Sequence, residues 1–96
     1  MRIARVVGSA VSTIKVDSLK GAKLLVVRYA SASDEPQGEP FVAVDAIGAG
    51  VGELVLISEG SAGRHTSTTT TAPVDAVIFA ILDSLEVDGV TTFRKS

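Results

Sequence analysis

Apolar residues fall along this chain in short blocks separated by glycine, proline and small polar residues, and the blocks have the length and make-up of strands. Ile3 to Val11 is rich in valine and small residues, and Gly8 inside it predicts a bend or bulge. Thr13 to Lys20 is polar, carries the turn signal Asp17-Ser18 and ends at Gly21. Lys23 to Tyr29 (KLLVVRY) is β-branched and tipped with an aromatic, which predicts a strand. Ala30 to Pro40 (ASASDEPQGEP) reads as a loop by composition. Phe41 to Ile47 (FVAVDAI) and Leu54 to Ser58 (LVLIS) read as strands, and the glycine-punctuated turn between them predicts a hairpin.

Gly60 to Pro73 holds the run Ser67 to Thr71, which has no helix bias and nothing to bury, so it reads as a mobile loop. A short helical turn near Ser61 to His65 is weakened by Gly63. Val74 to Leu85 (VDAVIFAILDSL) fits both a helical face and a strand buried on both sides, and its Val, Ile and Phe content favours the strand. Gly89 predicts a turn, and Thr91 to Lys95 a short terminal strand. Five or six strands with little helix suggest a mostly-β fold, a small barrel.

Ninety-six residues make one domain, spanning 1–96. Hydrophobic residues reach 46% while aromatics are only 4%, so the apolar content is Val, Ala, Leu and Ile. A core this small cannot hide them all, and a subunit interface is the usual second place of burial.

Charge and chemistry narrow the function. Net charge is −2 with no basic block, and Phe41, Phe79, Phe93 and Tyr29 are the whole aromatic stock, which argues against nucleic acid. The absence of cysteine removes disulfides, thiolate metal sites and cysteine nucleophiles. No apolar run approaches the roughly 20 residues that span a bilayer, so the expectation is a soluble, cytoplasmic protein without a membrane partner. Gly48-Ala49-Gly50-Val51-Gly52 has the look of a phosphate-binding loop, but its spacing differs from G-x-G-x-x-G and a strand pattern follows where a helix is required. A tight turn, or a close approach of two backbones, accounts for it. His65 is the only histidine and lies in a polar loop, where a solvated side chain is the simpler reading than a general base. Asp45, Asp75 and Asp83 lie on or beside apolar strands, where bonds to backbone amides outweigh an acid–base pair. Lys15, Lys20 and Lys23 cluster near Gly21 and read as solvated stems or interface ion pairs. No catalytic, cofactor-binding or metal site is expected.

Three stretches give the chain a resemblance. They are Arg5-Val6-Val7-Gly8 followed by Thr13-x-Lys15-x-x-x-Leu19-Lys20-Gly21-x-Lys23-Leu24-Leu25, then Val42 to Glu53 with Val55, then Asp75-Ala76-x-Ile78-x-x-Ile81-x-Asp83. Together they resemble the EutN/CcmL family of bacterial microcompartment vertex proteins. That resemblance implies a five-stranded barrel of oligonucleotide-binding-like shape, closed into a cyclic pentamer at the corners of a shell otherwise tiled by hexameric proteins. It implies a structural role and no enzyme activity. It also places Lys15, Leu19, Gly21, Lys23, Asp45, Gly48, Ala49, Gly50 and Glu53 at a subunit boundary. Gly60, Ser61, Ala62, Gly63 and Arg64 would lie near the ring axis, with Gly63 standing where the family has alanine. The alternative carried alongside is a free-standing small barrel that binds a ligand or nucleic acid.

Overall fold

The computed structural model describes residues 1–12, 21–59 and 76–95. Seven strands run through them: β1 (Arg2–Ala10), β2 (Lys23–Ala30), β3 (Pro36–Asp45), β4 (Leu54–Glu59), β5 (Ala76–Ile81), β6 (Ser84–Val87) and β7 (Val90–Arg94). The first five close into a barrel in the order β1-β2-β3-β5-β4, and β6 and β7 form a separate two-stranded sheet. A small closed barrel was the expectation, and closure leaves its strands no free edge.

Period-two alternation decides what the barrel buries. Ala4 and Val6 of β1, Leu25 and Val27 of β2, Ala43 of β3, Val55 and Ile57 of β4, and Ala76 and Ile78 of β5 make one cluster, with Tyr29, Phe41 and Ile81 packed against it. Alanine at three of these positions alternates with larger side chains, which suits a narrow interior. Each buried Val, Leu or Ile contributes about 1.5–3 kcal/mol of transfer free energy. Val44 and Val77, next in sequence to inward residues, form a second cluster with Ala22 and Leu24 on the other face of the sheet. The bulge expected at Gly8 is present: the β1–β2 register shifts between Val6 and Gly8.

Two expectations are corrected. The segment Ala30 to Pro40 is not a loop throughout. Ser31 to Glu35 make the turn between β2 and β3, and Pro36 and Gln37 already pair with Ala30 and Tyr29. Proline is tolerated here because it opens the strand, and the register shift between Val27 and Tyr29 takes up the extra residues of Gly38 to Pro40. The second correction concerns β3 and β4, which do not form a hairpin. β5 lies between them, parallel to β3 through Val44↔Val77 and antiparallel to β4 through Leu56↔Ala80. β3 ends at Asp45, short of the expected Ile47, for a reason given below.

Within the ambiguous block Val74 to Leu85, Ala76–Ile81 is strand, Leu82 and Asp83 interrupt it, and Ser84 and Leu85 open β6. A two-residue turn joins β6 to β7, with Asp88 at φ 51° and Gly89 at φ 78°. Positive φ at both central residues is what a type I′ hairpin turn requires, and Asp-Gly supplies it at low steric cost. The expectations for Thr13 to Lys20, for the Gly60 to Pro73 loop and for a helical turn at Ser61 to His65 lie outside the described residues.

Candidate intersubunit site

The residues between β3 and β4 form a turn that the chain's own side chains hold shut. Asp45 begins it. Its Oδ1 accepts hydrogen bonds from the backbone amides of Ile47 and Gly48, both at 3.1 Å. A carboxylate bonding two and three residues onward offers the backbone an alternative to the ladder, so β3 stops here. Lys23, the register partner of Asp45 on β2, reaches across and donates from Nζ to the Ala49 carbonyl at 2.7 Å. Its Nζ also stands 3.7 Å from Asp45 Oδ2. That oxygen is buried and accepts no hydrogen bond from the described residues.

Ala49 points inward and is fully buried with the core. Gly48 beside it has φ +84°, and a Cβ there would meet nothing within 4 Å. Within this chain Gly48 therefore answers a backbone requirement and not a close approach. At the far end of the turn Glu53 Oε1 accepts from the Gly50 amide at 2.6 Å. Glu53 Oε2 meets Lys95 Nζ at 2.9 Å, just beyond β7. These two donors hold the Glu53 carboxyl below the usual carboxylate range, Lys95 first, and the same bridge raises the Lys95 ammonium. The turn is sewn to β1 through Gly52 N to Val6 O at 2.8 Å and Val6 N to Glu53 O at 2.9 Å. Arg5 completes it. One guanidinium nitrogen donates to the Gly52 carbonyl at 2.6 Å, another bridges to Asp34, and the group stands 5.6 Å from the Phe93 ring.

The structure thus places Asp45, Gly48, Ala49, Gly50 and Glu53 in one turn, with Lys23 of β2 bonded to it. Gly21 lies just before β2. Lys15, Leu19 and the whole stretch Gly60 to Arg64 lie outside the described residues, as do His65 and Asp75. Asp83 is exposed just after β5, and its backbone carbonyl accepts from Lys95 N at 2.8 Å. Asp45 spends its carboxylate on the turn, so the two share no acid–base geometry. Among the described residues, no group of three or more His, Cys, Asp or Glu gathers as metal ligands. Asp34 and Lys95 were not singled out from sequence, and Arg5 only as the first residue of a resemblance stretch, with no role given to its side chain. Their partners lie 29 to 47 residues away, a distance at which spacing carries no signal.

A second polar group closes the other end of the barrel. Tyr29 stacks near Phe41 at 4.6 Å between ring centroids, with the Arg2 guanidinium 3.6 Å above its ring. Burial, then a hydrogen bond to Glu59 and that carboxylate's charge, push the Tyr29 phenol up to about 12 against the opposing pull of Arg2. A raised folded-state value means this contribution to stability is complete below the unfolded value of about 10. It is lost as pH rises through about 12. Tyr29 is the sole tyrosine, so phenolate absorbance follows it alone. The expected midpoint is about 12 in the folded protein and about 10 in denaturant. Equal midpoints would show that the Arg2–Tyr29–Glu59 group does not form.

Comparison with known proteins agrees with this architecture. Residues 1–83 match the family model described as "Ethanolamine utilisation protein EutN/carboxysome". The chain is 45% identical over 95 residues to the carboxysome shell vertex protein CcmL of Synechococcus elongatus, covering 99% of this chain and 96% of that one. It is 48% identical over 89 residues to the bacterial microcompartment shell vertex protein PduN of Salmonella typhimurium, covering 88% and 98%. Its fold superimposes on the GrpN pentameric microcompartment shell protein of Rhodospirillum rubrum with a TM-score of 0.81, 40% identity, and coverage of 91% and 99%. With a closed five-stranded barrel and a family match that runs from its first residue through β5, the chain belongs to the EutN/CcmL family.

Proposed function

We propose that this protein is a structural subunit of a bacterial microcompartment shell, closing as a homopentamer that caps a vertex. The observation that carries the reading is the superposition on a pentameric shell protein over 91% of the chain at 40% identity. The whole chain acts as one domain, and its work is geometric. A head-to-tail contact whose rotation closes after five copies makes a ring and not a fibre. A five-fold unit set among hexameric shell proteins supplies the curvature that closes a flat layer. Its role is architectural rather than catalytic, in keeping with relatives named as shell vertex proteins.

Several features support an intersubunit role for the turn from Asp45 to Glu53. It is rigidly tied to β1, β2 and the segment after β7, as a docking surface must be if one ring size is to be specified. It presents Ile47 and Val51 outward, both exposed, beside a chain with more apolar surface than its barrel covers. Lys15, Leu19, Gly21 and Lys23 would complete that boundary, and Gly60 to Arg64 would face the ring axis.

Native mass of the purified protein tests the ring. One sharp species at five times the 9.8 kDa chain mass, stable to dilution, is the expected result. A monomer, or a dimer, trimer or hexamer that persists across concentration and salt, would remove the vertex role.

A further inference from the structure

Among the described residues, the sheet of β6 and β7 is tied to the barrel through its base. Lys95 bridges Glu53, and its backbone amide donates to the Asp83 carbonyl. Thr92 Oγ1 donates to the Ala32 carbonyl, and the Phe93 ring faces the Arg5 guanidinium. The outer half of the hairpin is different: every residue from Glu86 to Thr91 is exposed. Val87 and Val90 are register partners, so their side chains stand together on one face. Both are exposed, Val90 by 62%. Glu86 and Asp88 flank Val87 in sequence, and no cation lies between Glu86 and Thr91. The tip is thus an apolar pair with two carboxylates. A two-stranded hairpin is marginal in water, and paired valines strengthen it only where something covers them.

The base of the same hairpin has the opposite character. Between it and the barrel lies a cleft of about 330 Å³, with Val51, Leu54, Leu82 and Phe93 as its apolar lining. Its charged lining is Arg5, Arg94 and Lys95 against Glu53. Counting Asp34, which bridges Arg5, the described residues still leave the cleft positive by one charge. A space at the lower end of the roughly 300–1,000 Å³ of ligand pockets is large enough to take side chains from outside. The tip cannot fill this cleft on its own chain. Val90 and Arg94 stand four residues apart on β7, roughly 13 Å at about 3.3 Å per residue, and strand pairing holds that separation. Any tip in a cleft belongs to another copy.

We infer that the hairpin tip, Val87 and Val90 with Glu86 and Asp88, docks into the cleft between barrel and hairpin of a neighbouring copy. Resting on the ring reading, this contact names which two surfaces meet. A head-to-tail interface joins two different patches of one chain, and these two are complementary in charge as well as in apolar character. The valines supply the buried area. The charges steer approach and fix register more than they add affinity. Val51 belongs to the β3–β4 turn proposed above for the subunit boundary, so the cleft is continuous with that surface.

The chain has no cysteine, so a pair introduced at two exposed positions reports the contact. The double variant Val51→Cys with Val90→Cys, treated with a short bis-maleimide, is expected to give a ladder of linked chains ending at five. Each single variant should stay at one chain, because the two sides of a head-to-tail contact differ. Glu86→Lys and Arg94→Glu should each raise the concentration at which the oligomer dissociates by about fivefold at low salt, and less at high salt. Combining them should recover most of that loss. Circular dichroism confirms that the variants fold. Native mass of the wild type separates this contact from the ring reading. Five chains by mass with no ladder from the double variant overturns the docking and leaves the ring standing. A ladder that ends at another number supports the docking and removes the pentamer. A wild type of one chain overturns both.

Discussion

Ile57→Ala is expected to lower the unfolding free energy by about 2–5 kcal/mol, a large share of the roughly 5–15 kcal/mol that holds a small domain together. Ile57 is fully buried at the middle of β4, between Arg2 of β1 and Ile78 of β5. Truncation removes three carbons from an interior whose neighbours are already small: Ala4, Ala43 and Ala76 line the same cluster. Closed strands cannot move inward without breaking ladder hydrogen bonds, so the cavity stays open and the loss falls toward the upper end of that range. Urea unfolding at fixed protein concentration measures it, as a lower midpoint with unchanged slope. Val42→Ala, at an exposed position of β3, is the control and should stay within about 0.5 kcal/mol. A loss below about 1 kcal/mol for Ile57→Ala would mean that the barrel interior collapses around the gap. Because folding and assembly are linked by mass action, the same variant should dissociate at higher concentration than wild type.

How much of this molecule is legible in its sequence depends on the range of the interaction. Strands β1, β2 and β4 follow from local alternation and β-branched content, and so does the bulge at Gly8. The turn at Asp88-Gly89 is written in two adjacent residues. Composition misleads at Pro36 to Pro40, where proline and glycine mark an irregular strand and not its absence. Adjacency misleads at β3 and β4, which are neighbours in sequence but are separated by β5 in the sheet. A parallel strand inserted from 31 residues beyond Asp45 leaves no local trace. The same division runs through the site. Asp45, Glu53 and the glycines were legible as a group because they are contiguous. That Asp45 bonds to backbone amides was legible too, but that Glu53 holds the far end of the turn through the Gly50 amide was not. Nor were the ties to Arg5, Lys23 and Lys95, because barrel closure creates them.

Lys23→Met is expected to cost about 1–3 kcal/mol, and the way it combines with Asp45→Asn reveals its cause. The Asp45 side chain is 1% exposed and its only nearby cation among the described residues is Lys23. Removing one member of a fully buried ion pair costs about 3–5 kcal/mol because the other charge is left stranded. Lys23 is itself 53% exposed, so solvent already screens part of that attraction and the expected cost is correspondingly lower. The Ala49 carbonyl loses its donor as well. Asp45→Asn removes the charge while leaving an oxygen for the Ile47 and Gly48 amides, so it should cost less than Lys23→Met. In the double variant no buried charge is stranded, and the combined loss should fall short of the sum by about 1 kcal/mol. Urea unfolding of the four proteins gives the cycle. Simple additivity would show that Lys23 acts through Ala49 alone, and that the buried carboxylate owes its place to the two backbone amides. A coupled result would make Lys23 the residue that lets a charged turn pack against an apolar barrel end. In the ring reading, the same lysine then sets the shape of the surface each subunit offers its neighbour.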